Sequence, residues 1–176
     1  VLGMSLSAAS QNAVGATISV CVFQRTIKAL VGANAKLTST AGNVLVQANG
    51  ENWALQLTLA AAGAGSNALN GTIPVFVGLD TVWTEIGQST ELSAAGSVGV
   101  LANLDNHTCV VSGGLAVSGS NAFGATLSTV VYTNTVKAIV GQNAVILSGG
   151  TGTGLSLPNR ASKRRGVFIS ATANED

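Results

Sequence analysis

Apolar residues alternate with small or polar ones over much of this chain. Ile18, Val20 and Val22 alternate with Thr17, Ser19 and Cys21. Ile73, Val75 and Val77 do the same, as do Leu127, Thr129 and Val131. A period of two marks β-strands, in which successive side chains point to opposite faces. Val44 and Val46 predict a further short strand, and Leu55, Leu57 and Leu59 another. The three- and four-residue spacing of an amphipathic helix is almost absent. Turn-forming clusters interrupt the strands at Gly32-Ala33-Asn34, Ala48-Asn49-Gly50, Gly87-Gln88-Ser89 and Gly141-Gln142-Asn143. In the first third of the chain the pattern predicts strands at 15–23, 27–31, 35–40, 44–48 and 53–60. Glycine is expected at the corners, where positive φ or close backbone approach is needed.

The pattern repeats at long range. Asn12-Ala13-Val14-Gly15-Ala16-Thr17-Ile18 returns as Asn67-Ala68-Leu69-Asn70-Gly71-Thr72-Ile73. It returns again, after a nearly equal interval, as Asn121-Ala122-Phe123-Gly124-Ala125-Thr126-Leu127. Thr26–Ala35 and Thr135–Ala144 share seven of ten residues. A fixed long period implies stacked structural units. The expected fold is all-β, a right-handed parallel β-helix (β-solenoid) built from ~54-residue repeats. The whole of 1–176 reads as one solenoid segment, a fragment of a longer array, with copies at about 12–66, 67–120 and 121–176. A coil of roughly 18–27 residues would place two or three coils in each copy, seven to nine in all. An antiparallel β-sandwich has similar strand lengths but no reason for a threefold repeat. Pro74, inside a predicted strand, must sit where no ladder donor is required.

Composition narrows the functional classes. Charged residues are only 9% of the chain, against 47% hydrophobic. No run approaches the roughly 18 apolar residues of a membrane-spanning helix, so no membrane insertion is expected. A surface of Ser, Thr, Asn, Gln and Gly suits an external protein. The net charge of +1 offers nothing global to attract nucleic acid or an anionic membrane. Locally, Arg160, Lys163, Arg164 and Arg165 cluster, as a solvated loop, a protease-sensitive connector or a polyanion-binding patch. Cys21 occupies the copy position of Phe76 and Val130. It and Cys109 are expected to be buried thiols acting as small hydrophobes.

Gly114-Leu115-Ala116-Val117-Ser118-Gly119-Ser120-Asn121-Ala122-Phe123-Gly124-Ala125-Thr126-Leu127-Ser128 resembles the repeat of leukotoxin-type filamentous adhesins. These are bacterial autotransported surface proteins of the filamentous haemagglutinin style. Thr135–Ala144 and Arg165–Ala173 fit the same pattern, and the resemblance spans nearly the whole chain. The middle copy departs from it at Trp83-Thr84-Glu85-Ile86. The resemblance implies a parallel β-helix passenger exported to the bacterial cell surface, where it contacts a host protein or glycan. It carries over no catalytic residue.

Candidate chemistry is sparse. His107 stands alone beside Asp105, in a segment read as a polar turn. Asp80 and Glu85 could be part of a polysaccharide-cleaving site, but such sites need several acids or bases on one face. Gly150-Thr151-Gly152-Thr153-Gly154 lacks the following helix of a phosphate loop and reads as a turn. Corners carrying Asn and Gly rather than acids do not favour calcium. Asn70-Gly71-Thr72 and Asn106-His107-Thr108 match the glycosylation acceptor pattern. Of the aromatics, the phenylalanines are expected to fill the core, and Trp83 is singled out as an exposed contact. The chain is thus read as a non-enzyme: no catalytic, cofactor-binding or metal-binding residue is assigned, and no cofactor. The expected function is an adhesive shaft. The alternatives are a polysaccharide-degrading β-helix enzyme and a self-assembling filament or coat subunit. Open solenoid ends are expected to mediate self-association by strand addition.

Overall fold

A computed structural model describes residues 1–158 and 160–175. Eleven strands follow one another: β1 (Leu2–Ala9), β2 (Asn12–Val31), β3 (Lys36–Ser39), β4 (Val44–Ala64), β5 (Asn67–Ile86), β6 (Glu91–Ala94), β7 (Val98–Ser118), β8 (Asn121–Thr126), β9 (Thr129–Val140), β10 (Val145–Ser148) and β11 (Val167–Glu175). With 75% strand and no helix among the described residues, the fold is all-β. The sheets run β1-β4-β7-β11, β10-β6-β3 and β2-β5-β8, with β9 also pairing β5.

Pairing is parallel between β1 and β4, β3 and β6, β6 and β10, β5 and β8, and β7 and β11. Leu2 stands beside Leu57, Lys36 beside Glu91, Glu91 beside Val145 and Asn67 beside Asn121. Side-chain bonds between equivalent residues repeat this displacement, 55 residues for Lys36–Glu91 and 54 for Thr72–Thr126. For β11 on β7 it grows to 69, because the excursion between β10 and β11 is inserted. Parallel sheets exclude the antiparallel sandwich and are consistent with a β-solenoid. The sheets are three or four strands deep, which corrects the expectation of seven to nine short coils.

The five short strands expected in the first copy are also corrected. Residues 12–31 are one continuous strand and 44–64 another, separated by the short β3. Gln24–Thr26 contains neither Gly nor Pro, and nothing there breaks the strand. Gly50 is buried inside β4 and marks no corner. A Cβ there would meet methyls of Ile27, Leu104 and Val82 at 3.1–3.2 Å, so this glycine answers to packing. The expected corners at 32–34, 87–89 and 141–143 are turns. Their positive φ falls on Asn34 (57°), Ser89 (55°) and Asn143 (56°) and not on the glycines. Gly87 and Gly141 serve close stacking, since a Cβ would lie 2.5 Å from the Ala33 nitrogen and 2.7 Å from the Gln88 nitrogen respectively, whereas a Cβ on Gly32 would meet nothing within 4 Å.

Contacts divide the molecule into two units, each assembled from all three copies. Unit 1 comprises 1–24, 53–79 and 107–133, and unit 2 comprises 25–52, 80–106 and 134–176. Unit 2 has an apolar core. Ile86, Leu92, Ala94, Val98 and Val100 pack together, with Val31, Leu37 and Val140 against them. A second cluster joins Ala48, Val82, Ala102 and Leu104.

Unit 1 reverses the expected polarity of the alternation. Apart from Phe76, which pairs with the Tyr132 ring, buried positions such as Ala13, Thr17, Ser19, Gln56, Thr58 and Thr72 are small or polar. The apolar alternates Ile18, Val20 and Val22 point outward and are 59–70% exposed. Along Gly15–Ser19 the faces approach too closely for large side chains. A Cβ on Gly15 would sit 2.6 Å from the Ala61 carbonyl oxygen, and the Thr17 hydroxyl donates to the Leu59 carbonyl at 3.0 Å. Gln56 Nε2 donates to the Ser19 carbonyl at 2.9 Å. Ile18, Ile73 and Leu127 do lie together as equivalent residues of stacked copies, but they border an outer groove.

Candidate functional site

The polar centre of unit 2 is built on one repeated position. Arg25, Asp80 and Asn134 each precede a threonine at the same point of their copies. The strand period turns Arg25 and Asp80 inward, toward Asn106 of β7. Arg25 Nε donates to Asp80 Oδ1 at 3.1 Å, and the Asp80 side chain has no exposed surface. The guanidinium also donates to the Glu51 carbonyl and, at 3.5 Å, to Asn106 Oδ1. Asn134 Nδ2 donates to Glu175 Oε1. Four buried atoms of this layer lack a hydrogen-bond partner: Asn52 Nδ2, Asp80 Oδ2, Asn106 Nδ2 and Asn134 Oδ1. A carboxylate so placed is compensated by its guanidinium, and desolvation makes the pair sensitive to loss of either member. Asp80 thus holds the layer together and lies away from solvent. The sequence places it with Glu85 in a structural or surface role and does not group it with Arg25. The shared copy position was the available signal.

Trp83, the expected exposed contact, is half-buried on β5. Lys28 Nζ lies 5.1 Å from its ring centroid and Lys137 Nζ 5.9 Å. All three occupy the same copy position. Lysine in all three copies would stack like charges at the strand spacing of about 4.8 Å. The indole separates two ammonium groups and attracts both. The departure of the middle copy from the repeat therefore has a local electrostatic reason.

Arg160, Lys163, Arg164 and Arg165 are all exposed on the excursion between β10 and β11. Leu155 and Arg164 pair across it in an antiparallel bridge, and Asn43 Nδ2 donates to the Gly154 carbonyl at 3.1 Å. Gly150, Gly152 and Gly154 all have positive φ, as the turn reading requires. Leu155 is buried, and a Cβ on Gly99 would meet its Cδ1 at 2.9 Å. Arg160 borders a cleft of about 520 Å³ with Leu157, Pro158 and β11, whereas Lys163 borders another of about 500 Å³ with Leu45, Gln47 and Asn103. Arg160 and Lys163 thus border different clefts.

Other expectations are corrected. Residues 104–108 are strand and not a polar turn, and Asp105 accepts from Asn103 Nδ2 at 3.1 Å. Cys109 is exposed and Cys21 half-buried, both as free thiols, so neither is the buried hydrophobe expected. Asn70 and Asn106 of the acceptor triplets, which an Asn- and Thr-rich chain produces by chance, are buried at 2% and 0% exposure. Phe76 is buried as expected, but Phe123 is 64% exposed. Among the described residues no group of three or more His, Cys, Asp or Glu could hold a metal ion.

The class defined by these elements is an all-β protein of stacked parallel sheets. No protein-family model, curated protein or solved structure matches the chain.

Proposed function

We propose that the chain is a segment of right-handed parallel β-solenoid whose rung is the repeat itself, and that it serves as a shaft in a bacterial surface adhesin of the filamentous type. The observation that carries this reading is the in-register stacking of equivalent residues. Asn67 Nδ2 donates to Asn12 Oδ1 at 2.8 Å, and Asn121 Nδ2 donates to Asn67 Oδ1 at 3.0 Å. The ladder is directional, so further rungs can be added with the same bond. Parallel ladders make such a stack stiff, and its turns and excursions display contacts to a host protein or glycan. The resemblance at 114–128 and 135–144 supports export to the cell surface.

Beads coated with the chain should adhere to host cells above the level of albumin-coated beads. Equal adhesion would reject the adhesive role. Strand edges at β2, β3, β8 and β10 favour a self-assembling reading as well, because each ends its sheet with unpaired ladder groups. Sedimentation at rising concentration should show end-on association, and a strict monomer would reject it.

A further inference from the structure

We infer that unit 1 docks on a lipid bilayer, its outer sheet faces entering the boundary between headgroups and acyl chains. The inference goes beyond the shaft reading and does not depend on it. None of the chain's eight Lys and Arg or seven Asp and Glu falls in 1–24, 53–79 or 107–133. Their absence leaves the whole unit without a charged side chain other than the titratable His107. Both outer faces are apolar. One carries Val14, Ile18, Val20 and Val22 of β2, with Leu69 and Ile73 of β5. The other carries Leu2, Met4 and Leu6 of β1, with Leu55 and Leu59 of β4. Exposed apolar surface on this scale marks an interaction site.

The distribution selects lipid over protein. Protein partners cover a defined patch and are steered and registered by complementary charge, and unit 1 has no charged side chain to supply it among Lys, Arg, Asp and Glu. A second copy laid on one face would leave the opposite face bare. An apolar phase covers both. Trp53, 70% exposed, opens the charge-free stretch 53–79 directly after Glu51 and Asn52, the position an interfacial tryptophan occupies.

The test is flotation of the full chain with zwitterionic phosphatidylcholine vesicles at low and high salt. Binding driven by apolar burial is expected in both, with a blue shift of Trp53 emission in a Trp83→Phe background. Replacing Ile18 and Val20 by Lys should lower the vesicle-bound to free ratio at least tenfold. These side chains are exposed, and circular dichroism should show the fold retained. Leu30→Lys, at a 61% exposed position of unit 2, should leave binding unchanged. Absence of flotation overturns the inference. So does binding that requires anionic lipid and vanishes in salt, which would point to the Arg160–Arg165 excursion. Flotation unaffected by the Ile18 and Val20 changes, with lipid-free association abolished by them, would assign the faces to a second copy instead. Bead adhesion to cells is scored separately, so either proposal can fail alone.

Discussion

The Arg25–Asp80 pair sets the sharpest energetic demand on single residues. Removing Arg25 leaves a carboxylate with no exposed surface and no cation, and such losses cost about 3–5 kcal/mol. Arg25→Ala should therefore lower the urea midpoint strongly, and adding Asp80→Asn should recover part of the loss. Additive effects in that double-mutant cycle would show the pair to be uncoupled. Trp83 makes a milder demand. Trp83→Lys would restore the repeat's residue but stack three ammonium groups, and a loss of about 1–2 kcal/mol is expected from like-charge opposition and the lost ring contacts. Added salt should relieve part of that loss, because the lysines are reached by solvent. A salt-independent loss would indicate packing as the cause. At this scale much was legible. Trp83 was visible as an exception to the repeat, whereas its two lysine neighbours required knowledge that equivalent residues of successive copies stack side by side.

Among the elements, long strands replaced the expected short ones because glycine has two uses that look alike in sequence. The three residues 32–34 turn the chain, while Gly50 lets side chains from Ile27, Val82 and Leu104 close over β4. Gly50→Ala should cost about 1–3 kcal/mol through overpacking. Gly63→Ala, where a Cβ meets nothing within 4 Å, should be neutral or slightly stabilising. Equal effects on thermal unfolding at the two sites would contradict the packing assignment. The corner positions were legible as Gly-X-Asn or Gly-X-Ser triplets. That Asn34, Ser89 and Asn143 adopt the left-handed conformation follows from the tolerance of short polar side chains there.

For the whole molecule, stacking predicts a gradient of protection. β6 pairs β3 on one side and β10 on the other, whereas those two are edges. Hydrogen exchange should be slowest in the middle copy, with Leu92 and Ala94 more protected than Leu37 and Ile146. Uniform exchange across β3, β6 and β10 would reject the stacked arrangement. The partition of charge belongs to this scale too. It is written in the sequence as three uncharged stretches, yet they become one surface only when the copies gather them into unit 1.

By itself the sequence determined the all-β character, three of the four expected corners and the recurrence of equivalent segments, because a period of two and the long-range return of Asn12, Asn67 and Asn121 are properties of residue order. Only the tertiary structure decided which alternate faces inward. The period is the same for either choice, and the distance between facing backbones breaks the tie. Where Gly15 lets the chain approach the Ala61 carbonyl, the space admits Thr17, Ser19 and Gln56 joined by hydrogen bonds, and Ile18 and Val20 must point out. In unit 2, Ile86, Leu92 and Val100 fill the interior in the ordinary way.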